Sequence, residues 1–352
     1  MDLASLPSAA LLRWDLAVRL ILSVVLPVLV AILVTDGLPS TAFVVAMAAA
    51  LVSFASLGPD VGSPPWLGVA AVGVPVAIVA GAISTGLAPS GTLLVFVLFT
   101  VHGAMMRAGL VAQLAWFPVS VAGMLSSLLI SSSADLRAVA LASVGGSVLA
   151  VLLAWLVPRL VHAPALPIPA EALVVDVDRL RRMVRSPHWR DWVFPLSLGL
   201  LSSGLLLVAN ALTGGFKPYW AVLAFVSVLG PTTAHVRREA GETVTASLLG
   251  VLLAGLVLTL GWGPTATMVL VIVLGVLGAL LVLRNGLLSK ALLTPLPVLL
   301  AAAALETNGV LALPARLAEY IAGAALAVVV AVLSERVVRA LAQDRPGADI
   351  VG

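Results

Sequence analysis

The chain has 352 residues, of which 61% are hydrophobic and only 10% are Asp, Glu, Lys or Arg, with no cysteine. Soluble domains carry about 25% charge, so this much apolar surface needs lipid as its solvent. The net charge of +3 is too small to mark a nucleic-acid binder, and a chain without cysteine has no disulfide, zinc–thiolate or thiol redox centre. Nor does any run alternate polar and apolar residues as lipid-facing barrel strands do, which leaves helices of about 20 apolar residues as the spanning elements.

Twelve apolar segments follow in chain order. In the first half they lie near 16–34, 40–57, 66–87, 91–106, 109–131 and 136–157; in the second, near 192–212, 218–231, 241–261, 265–283, 287–305 and 314–334. The first run follows Asp2 and two isolated arginines and lacks a small-residue cleavage site, so it is expected to span rather than to be a removed leader. Turn residues separate the segments: Asp36-Gly37-Leu38-Pro39, Gly62-Ser63-Pro64-Pro65, Ala88-Pro89-Ser90-Gly91 and Gly261-Trp262-Gly263-Pro264. Trp14, Trp66, Trp189, Trp192, Tyr219, Trp220 and Trp262 fall at span ends, where interfacial aromatic anchors belong.

The halves read as one unit written twice. Leu57-Gly58-Pro59 recurs as Leu229-Gly230-Pro231, Gly103-Ala104 as Gly278-Ala279, Gly109-Leu110 as Gly286-Leu287, Pro118 as Pro295 and Arg159 as Arg336, each at an interval of about 172–177 residues. Duplicated hydrophobic units are common among transporters. With the N-terminus in the cytoplasm, sixteen of the nineteen basic residues fall inside, and only Arg137, Lys217 and Arg316 fall outside. That bias follows the positive-inside rule, and dropping one helix would destroy it. The expected fold is an all-α polytopic membrane protein of about twelve transmembrane helices in two parallel six-helix repeats, with both termini cytoplasmic. The expected boundaries are a first repeat over 1–157, a cytoplasmic linker over 158–191, a second repeat over 192–337 and a tail over 338–352, in a multi-pass protein of the cell's inner membrane.

The linker opens on prolines and then places Leu173, Val177, Leu180 and Val184 at helical spacing, with Asp176, Asp178, Arg179, Arg181, Arg182 and Arg185 over the rest. This predicts a short amphipathic helix on the cytoplasmic surface, held by apolar contact and anionic lipid. Its role is either a tether between halves or a gating or docking element.

No phosphate-binding loop, His-Glu-x-x-His run or carboxylate-rich metal cluster occurs. An enzyme is therefore not expected, and no cofactor or metal is implied. Polar groups within the spans carry the functional signal. Proline interrupts the fifth helix of each half, at Pro118 and at Thr294-Pro295-Leu296-Pro297; matched breaks point to a transport site or to packing kinks. Arg107 and Arg284 end the fourth helices, with Gln113 and Lys290 following. They set topology or form a basic vestibule that gathers an organic anion, with Arg284 and Lys290 closing on one carboxylate. His102 and Glu242 are candidates for proton coupling, each with a structural alternative: a hydrogen-bonded interface histidine, and a carboxylate favoured by a helix N-terminus. Glu319, three residues from Arg316, is placed to pair with it, as Asp15 is with Arg19. Gly145, Gly146, Gly241, Gly250 and Gly255 suit close helix contact.

One stretch carries a resemblance: Pro218-Tyr219-Trp220 opening a helix, Gly230-Pro231-Thr232-Thr233, the basic Arg237-Arg238, and a helix containing Gly241, Thr243 and Gly250, followed later by Arg316 and Ile321-Ala322-Gly323. It resembles the fusaric-acid-resistance-like family, related to bacterial aromatic acid exporters, mainly in the second half. The resemblance implies proton-driven efflux of small organic, often aromatic, acids. The partners expected are thus a small organic anion and membrane lipid, with a homodimer or a membrane-complex partner compatible and nucleic acid not. Two other readings stand beside it: an anion channel, and a scaffold subunit of an envelope-synthesis complex.

Overall fold

The computed structural model describes residues 14–26, 40–55, 64–84, 89–130, 134–161, 175–213, 219–229, 233–282, 284–296, 299 and 309–343. Much of the Leu-Gly-Pro motif of each half, the turn at Asp36, Arg13, Leu173, Lys217, Pro297 and Arg345 lie outside the described residues. Among the described residues the regular structure is entirely helical: α1 (Trp14–Leu20, continuing as a π turn Ile21–Val25), α2 (Ser40–Ala55), α3 (Pro64–Ser84), α4 (Pro89–Ala108), α5 (Leu110–Leu129), α6 (Leu136–Leu160), α7 (Val177–Arg185), α8 (Trp189–Thr213), α9 (Tyr219–Val228), α10 (Thr233–Thr259), α11 (Pro264–Leu281), α12 (Gly286–Leu293) and α13 (Gly309–Gln343). Each of the twelve apolar segments contains part of a helix. Seven helices, α3–α6, α8, α10 and α13, are long and apolar enough to cross a membrane. The apolar stretches of α2, α9 and α11 are shorter (Thr41–Ala55, Tyr219–Val228 and Val269–Leu281).

The helices pair in a pattern that repeats. In the first half α2 packs on α6, α3 on α5 and α6, and α4 on α5. In the second α9 packs on α13, α10 on α12 and α13, and α11 on α12. Between halves, α4 packs on α8 and α11 on α1. Residues reproduce the pattern as well. A Cβ on Gly146 of α6 would run into the Val45 carbonyl and lie 3.1 Å from the Ala48 methyl of α2; a Cβ on Gly323 of α13 would run into the Ala221 carbonyl and lie 2.9 Å from the Ala224 methyl of α9. In lipid no hydrophobic force drives helices together, so small residues that let backbones approach do this work. Gly250 similarly backs onto Thr294, whereas Gly145 and Gly241 face open space.

α5 is the most central of the seven long helices, with 67% of its span buried, whereas α13 buries 22%. Phe99, Met124, Leu198, Phe225, Val236 and Ala324 belong to one buried cluster that joins α4 and α5 to α8, α9, α10 and α13. Outward-facing Val72, Leu141, Leu200 and Leu252 are exposed as a lipid-facing surface requires.

Three sequence expectations need correction. α5 runs unbroken through Pro118; a single proline removes one donor, and the helix continues around it. α12 does stop, at Leu293, just before Thr294-Pro295. Tyr219 and Trp220 are not interfacial anchors but are 5% and 8% exposed, because their rings pack inward against α13. α7 forms where amphipathicity placed it, with the Asp176 carboxylate accepting from the Arg179 amide as N-cap. It docks through buried Met183, however, while Val177 and Val184 stay exposed. Its start is pinned to the end of α4, the Asp176 amide donating to the Ala108 carbonyl at 2.9 Å.

A buried arginine in an aromatic setting

The Ala221–Gly323 approach brings the first turn of α9 against the N-terminal part of α13. Tyr219 and Trp220 adjoin each other with ring centroids 4.8 Å apart, and the Tyr320 ring lies 5.5 Å from Trp220. Over these rings sits the Arg316 guanidinium, its carbon 4.9 Å from the Tyr219 centroid and 5.8 Å from that of Trp220. Both distances are in the range of cation–π attraction, which strengthens when the cation is desolvated. Arg316 Nη1 donates to Glu319 Oε2 at 3.3 Å. The Glu319 side chain is 2% exposed and that of Arg316 14%. The pair anticipated from the i, i+3 spacing therefore exists, and it is buried near the start of the apolar stretch Leu313–Arg336 rather than solvated.

The pairing leaves two polar atoms over. Glu319 Oε1 and Trp220 Nε1 are buried and have no hydrogen-bond partner among the described residues. Beside them lies a seam between α9, α10, α12 and α13 too tight to admit a water molecule, lined by Trp220, Gly250, Thr294, Pro295, Arg316 and Tyr320. The α12 break is thus one wall of the seam. Thr294 turns its hydroxyl back to donate to the Lys290 carbonyl at 2.7 Å, a common way for threonine to satisfy itself at a helix end.

The other anticipated residues lie elsewhere. Lys290, one turn before Thr294, pairs with Glu239 of α10 at 2.5 Å and reaches Glu242 at 4.0 Å. Glu242 also lies 3.8 Å from Arg238, so Lys290 and Glu242 belong to one partly exposed ion network. Arg284 is exposed at the α11–α12 turn, and among the described residues it shares no carboxylate with Lys290. Arg107 donates to the Asp191 carbonyl oxygen at 3.0 Å, and its own carbonyl accepts from Arg179 at 3.2 Å, which ties α4 to α8 and α7. Pro118 is buried within α5. His102 is fully buried between Phe99 and Phe117, at centroid distances of 6.2 and 5.5 Å, and neither ring nitrogen has a hydrogen-bond partner among the described residues.

Repeat positions explain the contrast between Arg107 and Arg284. Asp191 in α8 stands where Asp15 stands in α1, but the place of Arg19 is taken by Pro195. Asp15 therefore closes on its own helix, Arg19 Nη2 donating to its carboxylate at 2.8 Å with both residues buried. Asp191, lacking that neighbour, is reached by Arg107 instead. The aromatic site has no equivalent in the first half, where the positions of Trp220 and Arg316 are occupied by Val44 and Val139 of an apolar core.

No group of three or more His, Cys, Asp or Glu able to hold a metal occurs among the described residues. Neither the curated proteins nor the solved structures searched gave a match to the chain. Residues 202–330 match the family described as "Fusaric acid resistance protein-like". That stretch runs from α8 through most of α13 and holds every residue of the aromatic arginine site. The resemblance read from the Tyr219-Trp220 to Gly250 stretch is thereby borne out, and residues 202–330 are similar to the fusaric acid resistance protein-like family.

Proposed function

We propose that the protein exports small organic acids, aromatic ones among them, across the cell's inner membrane. The observation that carries this reading is Arg316, a guanidinium held among aromatic rings within a membrane-spanning helix and bordering a helix break. Ionisable groups inside a membrane are costly and by default functional. A guanidinium presents a planar fork that matches a carboxylate, and Tyr219, Trp220 and Tyr320 offer flat apolar faces to a ring. Thr294, at the end of α12, would give a ligand in the seam a hydrogen bond only by releasing its own bond to the Lys290 carbonyl.

In this reading twelve helices cross the membrane as two parallel six-helix repeats with cytoplasmic termini, which the repeated helix pairing and the distribution of arginine support. Arg107, Arg284 and the Lys290 network lie on the cytoplasmic side, where their positive charge raises the local concentration of anions. The proton gradient drives export, with Glu319 and His102 as the buried groups available to carry the proton. Cells producing the wild-type chain should accumulate less of an added aromatic carboxylate than cells producing Arg316→Gln, with aliphatic acids as the comparison series. Equal accumulation of every acid in both strains would overturn the proposal.

A further inference from the structure

We propose that α7 is a lipid anchor with two faces in use. One face is tied to the ends of α4 and α8. The other, carrying Val177, Arg181, Val184 and Arg185, holds the phosphate of an anionic phospholipid at the bilayer surface. This concerns how the protein sits in its membrane and does not depend on what it transports.

The depth of α7 follows from its own contacts. At its start, the Asp176 amide donates to the carbonyl of Ala108, the last residue of the apolar span Pro89–Ala108. Toward its end, Trp192 Nε1 donates to the Met183 carbonyl at 3.1 Å, and Trp192 belongs to the first turn of the apolar span Asp191–Val208. From the face that buries Met183, Arg179 adds a bond to the Arg107 carbonyl at 3.2 Å. A span of about 20 residues crosses the hydrocarbon core, so a helix fixed to the ends of two such spans lies at the level of the headgroups.

The opposite face carries the recognition. Val177, Arg181 and Val184 follow i, i+4, i+7 spacing and Arg185 lies one turn beyond Arg181, so the four share a face. All four are exposed, Val184 by 74%, and the chain continues into Trp189, which is 67% exposed. Valines and a tryptophan at this depth suit the interface, where apolar area and aromatic rings settle among headgroups. The arginines select the headgroup. α7 holds four of them, against Asp178 and the N-cap Asp176. The Arg181–Asp178 contact, 3.2 Å between two exposed side chains, is a weak surface pair, and a phosphate that engages the guanidinium through two parallel bonds displaces it. Depth and the exposed tryptophan favour a lipid over a soluble partner as the occupant. In the topology proposed above, α7 meets the cytoplasmic leaflet, whose anionic lipids attract basic segments.

Because the chain has no cysteine, Val184→Cys takes a single bimane label. The labelled full-length chain is placed in nanodiscs of equal parts phosphatidylcholine and phosphatidylglycerol, with brominated acyl chains on one lipid or on the other. An arginine near an anionic surface enriches the charged lipid about fivefold, so bromine on phosphatidylglycerol should quench the label about fivefold or more as efficiently as bromine on phosphatidylcholine. Adding Arg181→Gln and Arg185→Gln should bring the two lipids close to equality with thermal unfolding unchanged, while Arg181→Lys with Arg185→Lys should keep most of the preference. Equal quenching by both lipids without the arginine changes, or a preference that survives the double glutamine variant, would overturn the proposal. Quenching by neither lipid would overturn it as well and leave the face to a soluble partner.

Discussion

Alanine at Gly323 should damage the protein through a single contact. Its Cβ would lie 2.9 Å from the Ala224 Cβ, 3.0 Å from the Ala221 carbonyl carbon and closer still to that carbonyl's oxygen. Backbone cannot yield as a flexible side chain does, so α13 must retreat from α9. Overpacking of this kind costs about 1–3 kcal/mol, against a gain of about 0.5–1 kcal/mol from replacing glycine within a helix. The net expectation is a loss of about 1–2 kcal/mol. Gly146→Ala should lose a similar amount at the equivalent α2–α6 contact, whereas Gly145→Ala, with nothing within 4 Å of its Cβ, should be neutral or slightly stabilising. Thermal unfolding in detergent compares the three, and flux per folded protein separates the halves. Only Gly323→Ala shifts Arg316 and Tyr320 relative to Trp220, so only it should depress transport beyond its effect on folding. A Gly323→Ala protein as stable as Gly145→Ala would refute the close approach on which the site depends.

Other expectations follow from the ion pairs. A double-mutant cycle of Lys290→Met and Glu239→Gln, read by thermal unfolding, should show coupling of about 1 kcal/mol, the upper end for a partly exposed pair. Breaking the buried α1 pair with Arg19→Leu should cost about 3 kcal/mol. Arg284 is exposed and can act on an anion only at a distance, so Arg284→Ala should lower flux at low ionic strength and leave it unchanged at about 0.5 M salt, where charges are screened within a few ångströms.

The helix positions were legible because run length and turn residues report directly on apolar helical segments, and the helix pairing recurs in the two halves in step with Gly and Pro landmarks that keep their spacing. The Arg316–Glu319 pair could be read from its i, i+3 spacing, but its burial could not. An arginine early in a helix looks the same whether it faces solvent or rings supplied from almost a hundred residues away. Tyr219 and Trp220 were misread for the same reason, since an aromatic pair opening a span is the usual mark of an interface. Lys290 was grouped with Arg284 because the carboxylate it pairs with, Glu239, lies on another helix. The interruption at Pro118 failed because one proline is weak evidence of a break. The contrast between Arg107 and Arg284 was in principle legible, in the replacement of Arg19 by Pro195 at equivalent positions.

The most direct test of the account is flux of 4-hydroxybenzoate in proteoliposomes containing the purified chain, wild type against Arg316→Gln, with and without an imposed pH gradient. Wild-type flux should exceed that of protein-free liposomes and rise with the gradient, while Arg316→Gln should stay at background in both conditions. Wild-type flux that ignores the gradient, or that Arg316→Gln matches, would contradict export through this site.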